Sequence, residues 1–102
     1  MNRTLLTATI VLTSLAVIGA AQAAGNADAG KAKSATCVGC HGATGQGVAP
    51  NPAIAGKPEA QFVQTLKDYK SGAKPNPIKR GITASLSDQD MEDLAAYYAS
   101  LK

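Results

Sequence analysis

A chain of 102 residues with a formal charge of +3 and a pI near 9.0 holds one small domain at most. Its apolar content leans on alanine, and its aromatics are one Phe and three Tyr with no Trp, so side-chain area for a core is scarce. The basic balance does not point to nucleic acid: once residues 1–23 are set aside, Arg3 goes with them and nine basic side chains face seven acidic ones.

Met1-Asn2-Arg3 is a short positive start, and Leu5 to Ile18 is an apolar run broken only by Thr and Ser. Ala21-Gln22-Ala23 then offers small residues at a cleavage spacing, which predicts a removed signal peptide over 1–23 and a mature chain from about Ala24. The run is shorter than the ~20 apolar residues a membrane span needs. No later segment is apolar enough to span, so stable membrane insertion is not expected.

Asn26 can cap a first helix over Ala27 to about Thr36, with Asp28 well placed in its first turn. Gly30 lies inside it, where a glycine weakens the helix unless another element packs closely against its backbone. This helix runs into Cys37-Val38-Gly39-Cys40-His41, which uses both cysteines and the single histidine of the chain. C-x-x-C-H is the attachment pattern of a c-type haem. Two thiols three residues apart can each form a thioether to one vinyl group of a porphyrin, and the next imidazole becomes the proximal iron ligand.

Competing chemistries fit less well. A thioredoxin-like pair needs a βαβ context, and no strand pattern is present. A disulfide between Cys37 and Cys40 closes a short, strained loop that stabilises little. A structural zinc site takes four N or S ligands, one more than these three residues supply. A haem is also a large apolar plate, and so supplies the burial that this aromatic-poor composition lacks.

Gly42 to Gly47 reads as a turn-rich loop, and Pro50, Pro52 and Pro58 bar a long helix after it. Ile54 is the expected core residue there. A second helix is predicted over Glu59 to Lys70, with Pro58 at its start, Gly72 as its C-terminal cap, and Phe62, Val63, Leu66 and Tyr69 on its apolar face. Gly72 to Thr83, carrying Pro75-Asn76-Pro77, is expected to be irregular. Ser87 opens the last helix with a capping-box pattern that has Asp90 in place of the usual Glu, and Met91, Leu94, Ala95, Tyr98 and Leu101 trace its buried stripe.

An N-terminal helix ending in C-x-x-C-H, a middle helix, a proline-bearing loop and a last helix with Leu94-Ala95-Ala96-Tyr97-Tyr98 resemble the class I cytochromes c, and most of all their bacterial c553/c4-like branch. The resemblance covers residues 25–102. It implies an all-α fold of three main helices and loops wrapped around one covalently bound haem c, with Cys37 and Cys40 as thioether positions and His41 as an axial iron ligand. It further implies that the Pro50 carbonyl orients the His41 ring, and that Gly30 meets Tyr97 where the first and last helices cross, with Tyr98 the alternative on helical phase. At the family's second axial position, usually Met, this chain has Lys79. Met91 lies on the buried stripe of the last helix.

Three states of the sixth iron site stay open: Lys79 as a neutral amine, a water or empty site with Lys79 turned outward, or another residue. Amine ligation has to offset deprotonation, about 1.4 kcal/mol for each pH unit below the ordinary lysine value. The function implied is a non-enzymatic, periplasmic one-electron carrier with transient redox partners. Lys57, Lys67, Lys70, Lys74 and Lys79 are candidates to guide docking. The alternative is a haem c protein whose open sixth site takes NO, CO or O2, or reacts with peroxide.

Overall fold

The computed structural model describes residues 25–101; the expected signal peptide lies outside the described residues. Five helices follow in order: α1 (Ala27–Lys33), α2 (Ala35–His41), α3 (Glu59–Ser71), α4 (Pro77–Thr83) and α5 (Asp88–Ser100). Among the described residues the β content is a single bridge between Val48 and Asn51. No helix among them is long and apolar enough to cross a membrane.

Two expectations need correction. The single first helix is two, because the chain bends at Ser34, whose Oγ donates back to the Lys31 carbonyl at 2.7 Å and ends α1 before α2 begins. The stretch expected to be irregular contains α4. Pro77 sits in its first turn, where a missing N–H costs nothing, and the Asn76 side chain accepts from the Lys79 N–H at 3.0 Å. The prolines that bar a helix through residues 75–77 therefore start one.

The other termini follow the sequence. Gly72 caps α3 at φ 85°, a left-handed conformation that glycine adopts without strain. Ser87 Oγ accepts from Asp90 N–H at 3.0 Å while the Asp90 carboxylate accepts from Ser87 N–H at 2.9 Å, so the capping box closes with the shorter acid.

Phe62 and Val63 of α3 meet Met91, Leu94, Ala95 and Tyr98 of α5 in the buried core, with Cys37, Ile54, Leu66, Leu86, Tyr97 and Leu101 packed partly buried around it. Met91 is fully enclosed there, as its place on the stripe predicts. Helices α1 and α5 cross at Gly30: a Cβ on Gly30 would lie 2.0 Å from the Asp93 carbonyl oxygen and 2.7 Å from Tyr97 Cβ. Tyr97 is thus the residue opposite Gly30, and Tyr98 points into the core.

A polar clamp beside this crossing fixes it. The buried Asp93 carboxylate accepts from Asn26 N–H at 2.8 Å, Lys33 Nζ at 2.6 Å and Gln89 Nε2 at 2.9 Å, and Lys33 also reaches Asp90 at 2.8 Å. The Asn26 N–H first, then Lys33 and Gln89, hold the Asp93 carboxyl below its ordinary 3.8, at about 2. Since the unfolded chain takes up this proton at the higher pH, the stabilisation is complete above about pH 4 and is lost as pH falls through about 2. Asp93→Asn should therefore cost about 2 kcal/mol at neutral pH. It should also flatten the fall in stability between pH 4 and pH 2, read from denaturant midpoints across that range.

Candidate functional site

Helix α2 carries the whole attachment motif in one turn. Cys37 and Cys40 are both free thiols and half-buried. His41 closes the helix and is buried, 4 % exposed. The loop that follows folds back on α2: Gly47 N–H donates to the His41 carbonyl at 2.7 Å, and the N–H groups of Ile54 and Ala55 both reach the Gly45 carbonyl, at 2.9 and 3.0 Å.

This return brings the Pro52 carbonyl to 2.7 Å from His41 Nδ1. The expected partner, Pro50, is not the one used. Asn51 N–H bonds the Val48 carbonyl at 2.8 Å, which leaves Pro50 exposed in a tight turn, and the chain comes back to the imidazole two residues later. Two prolines a residue apart gave the sequence no means of choosing between them. With Nδ1 donating to a carbonyl, Nε2 keeps its lone pair and is free to act as a ligand.

Nε2 faces Lys79. The Lys79 Nζ of α4 lies 2.7 Å from it. The backbone around Lys79 is pinned at both sides, its N–H by Asn76 and its carbonyl by Thr83 Oγ1 at 2.8 Å, with Thr83 itself buried. The side chain thus leaves a fixed base and meets His41 end to end.

The donor set suits a haem. Two unpaired thiols one helical turn apart match two vinyl groups, and the oriented imidazole matches one iron. The 2.7 Å contact is a direct hydrogen bond. A metal shared by two nitrogens, with bonds of about 2 Å each, needs roughly 4 Å between them. Lys79 has four rotatable side-chain bonds with which to draw back by that difference. Met91, enclosed in the core, has no such freedom.

The phenol of Tyr98 is the remaining polar group of note. Its Oη is buried and without a hydrogen-bond partner among the described residues. Burial above all, and then the neighbouring Cys37, push its pKa up.

The sequence profile described as "Cytochrome c" matches residues 27–102. Over the full chain the sequence is 44 % identical to cytochrome c4 of Pseudomonas aeruginosa, of which it covers 50 %. It is 40 % identical to cytochrome c-554(548) of Halomonas halodenitrificans, over 76 % of this chain and 98 % of that protein. The fold superposes on the crystal structure of reduced cytochrome c4 from Pseudomonas stutzeri with a TM-score of 0.71 at 40 % identity, covering 78 % of this chain and 47 % of that one. The chain spans about half the length of the cytochromes c4 that it matches.

Proposed function

The chain belongs to the cytochrome c family, and from that premise we propose that it is a periplasmic one-electron carrier with a single haem c, its iron held between His41 and Lys79. The observation that carries the reading is the meeting of His41 Nε2 and Lys79 Nζ at 2.7 Å, beside two free thiols on the same helix. When bound, the haem supplies one iron that alternates between Fe(II) and Fe(III).

The residues of the chain do the rest. Cys37 and Cys40 anchor the group covalently and take the place of an affinity that a domain this small could not build. Pro52, by accepting from Nδ1, fixes the tautomer and ring plane of His41 and makes it a better donor. Lys79 fills the position usually taken by a thioether. A methionine there raises the reduction potential, so an amine in its place sets a lower one. Encounters of an electron carrier with redox proteins are brief and need only a small docking area. The segment Tyr69 to Ser87 has no acidic residue, and its Lys70, Lys74 and Arg80 favour acidic partners.

The test is a mass and a spectrum. Produced in a host with haem-attachment machinery, the exported chain should be heavier by one haem, and the double variant Cys37→Ala/Cys40→Ala should lose that mass entirely. The oxidised protein should be low-spin and lack the far-red iron–methionine band. A colourless, folded wild-type chain would overturn the reading.

A further inference from the structure

Tyr98 is the largest side chain with no exposure at all. Its ring is held on every side the structure describes: stacked on Phe62 at 5.5 Å between centroids, tilted against Tyr97 at 5.0 Å, and so close to Gly45 that a Cβ there would come within 2.8 Å of it. Its backbone carbonyl accepts from Gly56 N–H at 2.8 Å. The ring is packed away from water, yet among the described residues nothing pairs with its hydroxyl. An unpaired buried hydroxyl costs on the order of 1–3 kcal/mol, and phenylalanine would fill the same space without that cost.

Cys37 packs partly buried on the cluster that contains Tyr98. After burial, Cys37, Ser34 and Tyr97 are the neighbours whose fields act on the phenol. Ser34 already donates its own proton to Lys31. A cysteine thiol is both a weak donor and a weak acceptor, whereas a thioether sulfur only accepts. Thioether formation adds the thiol S–H across a vinyl C=C: the sulfur binds one carbon, the proton goes to the other, and no electron is gained or lost. Cys37 then has no hydrogen to offer, and Tyr98, kept protonated by burial, has one.

We infer that the Tyr98 hydroxyl donates a hydrogen bond to the Cys37 sulfur in the haem-bearing protein, so that Tyr98 is a positioning residue for the first attachment arm. This rests on the haem assignment made above. The bond draws electron density from the sulfur and through it from the porphyrin, which favours the reduced iron. It also ties α5 to α2 through the cofactor's own linkage.

The experiment compares wild type, Tyr98→Phe, Ser34→Ala and the double variant, each as haem-bearing protein verified by mass. Tyr98→Phe keeps the ring and removes one oxygen, so it should fold. Its folding equilibrium should fall roughly three- to tenfold. The reduction equilibrium should shift about two- to threefold toward the oxidised state, and the C–S stretching band of the attachment arm should move in the resonance Raman spectrum. Ser34→Ala should act independently of it.

If Tyr98→Phe is neutral or stabilising, with potential and C–S band unchanged, the hydroxyl is unpaired in the loaded protein too and the inference is wrong. Strong coupling between Tyr98→Phe and Ser34→Ala would make the serine the acceptor and overturn it equally. A wild-type chain without haem mass would instead defeat the functional reading, so the two failures are told apart.

Discussion

Lys79→Met should raise the reduction potential of the haem-bearing protein by about 0.1 V or more, within the ~0.8 V that axial ligands span, and should bring in the far-red iron–methionine band. Reach decides which donor serves better. Asn76 and Thr83 fix the backbone of position 79, and the lysine nitrogen sits 2.7 Å from His41 Nε2, nearer than a shared metal allows. A methionine places its sulfur two atoms closer to the backbone than the amine, and so gives back length that the lysine has in excess. Thioether ligation raises the potential because a neutral, soft donor favours Fe(II).

Lys79→Ala separates the remaining possibilities. With lysine as the native ligand, the oxidised wild type is low-spin and the alanine variant becomes high-spin and takes up CO. A wild type that is already high-spin and binds CO would instead establish the open-site reading, a small-ligand haem protein. A low-spin spectrum unchanged by Lys79→Ala would assign the sixth ligand to another residue. Absorption and magnetic circular dichroism spectra of the three proteins decide among these outcomes.

The attachment motif was legible because its chemistry is local: five consecutive residues on one helix need nothing from the rest of the fold. The capping box at Ser87 and the glycine cap at Gly72 were legible for the same reason, and the structure contains both. Gly30 announced a close neighbour without saying which. Only the α1–α5 crossing shows that it is the Asp93 backbone and Tyr97.

What the sequence hid depends on chain reversal. Pro50 and Pro52 have the same carbonyl chemistry, and the turn at Val48–Asn51 decides which one returns to His41. Proline read only as a helix breaker conceals α4. A proline in the first turn behind an asparagine cap is a start signal, and the Asn76-Pro77 pair carried it. Lys79 owed its place in the expected site to resemblance alone, and α4 is the element that brings it to His41. The unpaired hydroxyl of Tyr98 has no signature in the sequence, where the residue reads simply as part of an apolar stripe.

Gly30→Ala should destabilise the haem-bearing protein by about 3 kcal/mol or more, measured as a shift in denaturant midpoint at constant slope. The added methyl would lie 2.0 Å from a carbonyl oxygen, 2.6 Å from its carbon and 2.7 Å from Tyr97 Cβ, so two of its three nearest atoms are backbone and cannot rotate away. Relief requires α1 to move off α5, and that motion stretches the Asn26 and Lys33 bonds to Asp93, which stand at 2.8 and 2.6 Å. The clash and the loss of the clamp therefore act together. Gly81→Ala is the control: it is also a helix-interior glycine, but a Cβ there meets nothing within 4 Å. With no clash to offset the gain in helix propensity, that substitution should stabilise α4 by about 0.5–1 kcal/mol. Opposite signs at the two positions would show that crossing distance, and not the presence of glycine in a helix, is what Gly30 contributes; a loss below about 1 kcal/mol at Gly30 would mean that α1 and α5 do not cross this closely once the core is filled.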